Sequence, residues 1–275
     1  MRRIMKISHT LSGARSFKLS LRRIKRDNKG VAAVEFALIL PLMLTLYFGS
    51  AEITQGVLAS RKMALLSRTL SDLVAQQSSA STTDCPAAGV CDITMGKIFA
   101  AASVVMSPFS TANLSSGPAS LTMTISAVEV KAKSASTVAG NYWPNDSTGQ
   151  VAIVRWSKVA ASPNVGTKRD CTKLLIPSDN TNHASITTLP KGLFATGSLI
   201  VADVTYKYSP GFGGAVLAWV SADGATYIAM TNTTYMRPRN WTTFITYDET
   251  AVSTGGVTGG ANCKLISPTA DPLNS

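Results

Sequence analysis

From Val31 to Phe48 the chain runs VAAVEFALILPLMLTLYF, eighteen residues in which only Glu35 and Thr45 are polar. At ~1.5 Å per residue a helix of that length covers about 27 Å, close to the ~30 Å of a bilayer's hydrocarbon core. Past Gly49 the pattern turns amphipathic. Ile53, Val57, Ala64, Leu66, Leu70, Leu73 and Val74 recur at helical spacing between Glu52, Gln55, Ser60, Arg61, Lys62, Arg68 and Asp72. That period predicts a helix with one apolar stripe, packed on its own sheet rather than on a partner helix. No proline interrupts 42–83, so one helix from Val31 to about Gln77 is expected, ended by the polar run 76–83. Pro41 lacks an N–H and is expected to kink the apolar half.

Beyond residue 81 the hydrophobic period changes. Residues 92–106, DITMGKIFAAASVVM, read as a second helix, with Asp92 near its start and Pro108 just past its end. Period-two alternation then predicts strands over 121–131, 151–159 and 198–208, and in part over 225–236. Turn-forming residues at 140–145, 162–164 and 209–214 separate them, and a glycine-rich stretch, 254–260, lies near the end. The fold class this predicts is α+β: a long N-terminal transmembrane and amphipathic helix packed on an antiparallel β-sheet. Four segments follow: a basic leader (1–30), a membrane helix (31–50), an amphipathic extension with connector (51–80) and an exported β-rich domain (81–275).

Charge sharpens this division. The leader holds ten Lys and Arg against Asp27 alone, so it carries +9 of the chain's +11. The remainder is nearly balanced, which leaves no basic patch for nucleic acid. Positive charge before an apolar span keeps that end cytoplasmic and sends the C-terminal bulk across. Two other readings fit the segment: an organellar transit peptide, or a secretory signal cut near the small-residue site Gly49-Ser50-Ala51. Glu35 argues against both, because a carboxylate inside an apolar span is costly and marks a function.

The run from Lys29 to Arg61, and above all KGVAAVEFALILP, resembles the class III signal of type IV pilin-like proteins and, within them, the TadE/TadG-like proteins of the Flp (tight adherence) pilus. The resemblance implies a cut by a prepilin-type peptidase after Gly30, with Val31 as the new N-terminus and Glu35 as the motif's acid. Phe36 stands where related pilins often have tyrosine. It also implies a bacterial inner-membrane protein of single pass, N-terminus cytoplasmic and C-terminal domain periplasmic or extracellular. Its partners would be the membrane, other pilin or pseudopilin subunits, the Tad inner-membrane platform and the prepilin peptidase. Glu35 would set helix register by neutralising a neighbouring subunit's Val31 amine in a low-dielectric setting. The competing reading has Glu35 reach the interface and favour the helix N-terminus. A looser likeness covers Tyr206-Lys207-Tyr208-Ser209-Pro210 and the arginines of Arg237-Pro238-Arg239.

Cys85, Cys91, Cys171 and Cys263 all follow the apolar span, as disulfides in an oxidising compartment would. Three pairings are open; Cys85–Cys91 with Cys171–Cys263 is favoured. No metal site is expected, since Cys-x-x-Cys is absent and no histidine neighbours a cysteine pair. His9 and His183 are isolated, Gly211-Phe212-Gly213-Gly214 lacks the last glycine of a dinucleotide loop, and no hydrolase, zincin or P-loop motif occurs. Nothing sets Asp203, Asp223, Asp248 or Glu249 across a substrate, and Trp143, Trp156, Trp219 and Trp241 read as core or interface. The expectation is a non-enzymatic protein without cofactor. The alternative is a single-pass or secreted envelope protein whose binding or enzymatic site carries no recognisable motif.

Overall fold

Helix α1, Val31–Ala75, continues through Pro41. The computed structural model describes residues 30–77, 80, 82–85, 89–112, 120–132, 149–171, 174–179, 185–195, 197–211, 214, 225–239 and 245–248, and the backbone of 263–264. The leader before Gly30, the turn at 140–145, the glycine-rich stretch, both histidines, and Trp143, Trp219 and Trp241 lie outside them. The chain divides into two units, Met1–Ala51 and Glu52–Ser275, and α1 contributes to both.

In the first unit every described residue, from Gly30 to Ala51, is exposed. In the second, α1 is joined by helix α2, Asp92–Met106, whose bounds are those its sequence pattern predicts. The strands are β1 (Val90–Cys91), β2 (Leu121–Ala132), β3 (Gln150–Val159), β4 (Leu174–Ser178), β5 (Thr188–Pro190), β6 (Gly197–Tyr208), β7 (Ile228–Met236), β8 (Tyr247–Asp248) and β9 (Cys263–Lys264). The main sheet has the order β5-β4-β3-β2-β6-β7, with β9 also on β3. Its long strands, β3, β2, β6 and β7, are antiparallel, as expected. The sheet is nonetheless mixed, because β5 lies parallel to β4, and a separate parallel pair joins β1 to β8. These extra strands are two to five residues long, too short to display a period.

Alternation along β6 builds two cores at once. Ile200, Ala202, Val204, Tyr206 and Tyr208 pack with Ala59, Met63, Leu66, Leu70 and Val74 of α1 and Met95, Ile98, Ala102 and Met106 of α2. Leu199 and Val201 pack instead with Val128, Val130, Ala152, Val154, Leu175, Leu189 and Phe194. Such division follows from side chains that point alternately to the two faces of a strand. In β3 the register shifts: Ala127 faces Trp156, Val128 faces Val154, and Arg155 is the extra residue between. The bulge reverses parity. Trp156 therefore joins the helix-side core although Ala152 and Val154, at positions of the same parity, join the other.

Polar bonds fix α1 on the sheet. Asn232 Nδ2 donates to Ser67 Oγ at 2.6 Å, and Ser67 Oγ also meets Thr234 Oγ1 at 2.8 Å. At the helix end the Arg239 amide donates to the Ala75 carbonyl at 3.1 Å, and the guanidinium reaches Asp72 at 2.8 Å. One of the carbonyls a helix C-terminus leaves unpaired is thereby satisfied. Lys62 Nζ does the same for α2, donating to the Val105 and Ser107 carbonyls. A Cys85–Cys91 disulfide closes the loop before α2. Cys171 is disulfide-bonded as well; the side chain of Cys263, its favoured partner, lies outside the described residues.

Candidate functional site

Gly30 immediately precedes the first helical residue, Val31. A Cβ built on Gly30 would meet nothing within 4 Å, and the residue is not among the glycines with positive φ. Neither crowding nor left-handed backbone accounts for glycine here. Val31 is 51% exposed and Phe36 63% exposed. Glu35 follows Val31 by four residues, which sets both on one helix face a turn apart. It falls beyond the first turn, which holds no acidic residue, so it is not placed to cap the helix. None of the described residues pairs with Glu35.

Elsewhere in this segment polarity is turned inward. Thr45 Oγ1 donates to the Leu42 carbonyl and Ser50 Oγ to the Tyr47 carbonyl, both at 2.8 Å. Hydroxyls bonded to their own helix leave an outer surface that hydrocarbon tolerates. Glu35 is then the one acidic or basic side chain among Asp, Glu, Lys, Arg and His between Val31 and Ala51. An exposed apolar surface of this length marks a site of interaction with membrane or protein. The helix is long and apolar enough to cross a membrane, which is compatible with single-pass anchoring.

Among the described residues of the second unit the ionisable groups that come together are already matched. Arg169, wholly buried, grips Asp203 in a two-pronged pair with both contacts at 2.8 Å, and donates to the Ser185 and Thr188 carbonyls at 3.1 and 3.3 Å. Lys158 meets Asp92 at 2.8 Å, and the Tyr247 hydroxyl donates to the same carboxylate. Trp156 packs on Tyr247 at 5.3 Å between ring centres and donates Nε1–H to the Ile245 carbonyl at 2.6 Å. A cleft of about 200 Å³ opens beside Lys158, walled by Met95, Phe99, Met123, Ala160 and Asn164. Among the described residues no group of three or more His, Cys, Asp or Glu could hold a metal ion. Asp223 and Glu249 lie outside those residues, and Asp248 sits in β8.

Residues 30–69 match the family model described as TadE-like protein. The chain carries a TadE-like domain. The match begins at Gly30 and so takes in the whole apolar helix and the first turns that pack on the sheet. No curated protein and no solved structure matches the chain. The TadE-like domain supports a role related to the Tad pilus.

Beside this domain the Tyr-x-Tyr phrase acquires a structural meaning. Tyr208 lies against Gly56 of α1, where a Cβ would come within 3.6 Å of its ring, and its hydroxyl donates to Glu52 at 3.1 Å. Burial pushes the Tyr208 phenol up to about 12, and the Glu52 hydrogen bond and charge add to the shift. Burial raises Tyr206 as well. Sequence reasoning missed the Arg169–Asp203 and Lys158–Asp92 pairs. Their partners are 34 and 66 residues apart, and no local spacing announces such contacts.

Proposed function

We propose that this chain is a pilin-like minor subunit or assembly factor of a Flp/Tad pilus, cut after Gly30 by a prepilin-type peptidase and acting through helix packing rather than catalysis. One conjunction supports it: a glycine that the fold does not require stands directly before an uncovered apolar helix with a single carboxylate one turn in. A residue not needed for folding is free to be kept for recognition by another protein. The leader's charge holds the N-terminus in the cytoplasm and sends the exported unit to the periplasm or beyond. The Cys85–Cys91 disulfide fits that oxidising side.

In this reading the helix enters a bundle with pilin, pseudopilin or platform helices. The new Val31 amine and Glu35 lie on one face, so Glu35 of one subunit can meet the amine of the next and fix their axial offset. In low dielectric such a pair is strong and an unmatched partner costly, which selects one register.

The intact mass and N-terminal sequence of the membrane-extracted protein test the cut. A chain beginning at Val31 is the expected result; one beginning at Met1 or near Ala51 overturns it. Glu35→Ala tests the register: pilus assembly should fail while membrane insertion and cleavage persist, and normal assembly in that variant would remove Glu35 from the mechanism.

A further inference from the structure

Within the exported unit the apolar residues of α1 have two fates. Ala59, Met63, Leu66, Leu70 and Val74 are buried against the sheet and α2. Ile53, Val57, Leu58 and Leu65 are not; they are 70, 47, 42 and 57% exposed. The sequence pattern assigned Ile53 and Val57 to the packed stripe, but the rotation that seats Ser67 and Leu70 on the sheet turns them outward. Interleaved with them are Arg61 and Arg68, both exposed. At ~3.6 residues per turn these six side chains occupy an arc of about 140°, a single face.

The charges on this face are one-sided. Asp72 lies on the same arc but is engaged by Arg239 at 2.8 Å, and Glu52 accepts the Tyr208 hydroxyl. No described residue pairs with Arg61 or Arg68. A merely solvated helix face carries mixed charges and few large apolar groups. Four aliphatic residues around two guanidiniums that no described residue pairs have instead the composition of an interface, where arginine is enriched and carboxylates supply its complement.

We propose that residues 53–68 of α1 are a docking face for an amphipathic helix of another protein, one whose apolar side carries two carboxylates two turns apart. Arg61 and Arg68 are separated by seven residues, so their heads repeat along one side of the helix at roughly 10 Å. A partner helix laid alongside with acids at the same spacing matches both, and its apolar residues cover Ile53, Val57, Leu58 and Leu65. A lipid surface, whose mobile phosphates impose no spacing on the two arginines, is the rival occupant that the experiment separates. The inference rests on the exported unit and holds whether or not the chain is cut after Gly30.

The test uses the full chain in phosphatidylcholine nanodiscs and a fluorescent amphipathic peptide of about five turns, with glutamates seven residues apart on its leucine face. A sister peptide carries lysines at those two positions. Anisotropy should show binding of the glutamate peptide and little of the lysine peptide. Arg61→Glu combined with Arg68→Glu should weaken the glutamate peptide about tenfold or more and admit the lysine peptide, a charge-swap rescue that a folding defect cannot produce. Equal binding of the two peptides, or indifference to the charge reversal, overturns the proposal. Loss of glutamate-peptide binding when phosphatidylglycerol replaces phosphatidylcholine would assign the arginines to lipid phosphate and overturn it as well.

Discussion

Replacing Asp203 by alanine would leave the Arg169 guanidinium buried without the carboxylate that neutralises it. Arg169 is fully buried and makes both of its carboxylate contacts at 2.8 Å to Asp203, while Thr233 Oγ1 donates to the same carboxylate at 2.8 Å. The Arg169 amide donates to Ser157 Oγ at 3.1 Å, so one residue links β3, β6 and the turn at 185–188, with β7 joined through Thr233. Removing one member of a buried ion pair costs about 3–5 kcal/mol, because the remaining charge has lost both water and partner. Its Ser185 and Thr188 contacts survive and set the expectation near the lower end, about 3 kcal/mol.

The comparison that isolates burial is Asp84→Ala, which breaks an ion pair with Lys97 whose side chains are 41 and 67% exposed. Exposed pairs contribute about 0–1 kcal/mol. Urea unfolding of the full chain in nonionic detergent, followed by fluorescence of the buried Trp156, measures both. Arg169→Met with Asp203→Leu should recover part of the loss, since an apolar pair leaves no buried charge. If Asp203→Ala costs no more than Asp84→Ala, the Arg169 cluster does not hold the second core together.

Ser67→Ala removes the hydroxyl shared by Asn232 and Thr234, leaving both without that partner, and should cost about 1–3 kcal/mol in the same unfolding assay; a change within error of zero would show that the helix–sheet seam is apolar only. Tyr208 and Tyr235 have phenols pushed up to about 12, each chiefly by burial, with Asp203 raising and Arg169 lowering Tyr235. Because the folded phenols hold their protons above the ordinary value of 10.0, stability is full below pH 10 and falls as pH rises from 10 to about 12. Phenolate absorbance should therefore show Tyr206, Tyr208 and Tyr235 titrating late, one of them removed by Tyr208→Phe; titration of all tyrosines together near pH 10 in the folded protein would contradict the burial.

The legible parts of this chain are those where one physical requirement repeats. The apolar run, both helices and four strands could be read because the length of an apolar span and the periods of helix and strand each constrain many residues together. What stayed hidden depends on single residues or distant partners. Arg155 acts as the bulge of β3 only because Ala127 and Val128 oppose its neighbours. Arg169 sits in a stretch without period and is stabilised by residues on β6 and in the 185–188 turn. Gly166 is a glycine because a Cβ there would come within 2.2 Å of Thr124 Oγ1, a proximity that no pattern within 162–168 announces.

Rotation of α1 about its own axis joins the fold to the proposed interface. Among the described residues of the second unit, polar attachments hold the helix at Glu52 to Tyr208, Ser67 to Asn232 and Thr234, and Asp72 with the Ala75 carbonyl to Arg239, and Lys62 ties it to the end of α2. They are spaced over the helix from end to end of that unit, so no single turn can roll without breaking one of them. Apolar packing alone would tolerate small rolls, because leucine, methionine and valine fill a groove without directional bonds. Hydrogen bonds do not tolerate them, since a helix turned by one residue (about 100°) would carry Ser67 off Asn232 and press Arg61 and Arg68 toward the core. The polar seam with the sheet therefore decides which side chains remain outward, and those are the aliphatic and arginine residues of 53–68.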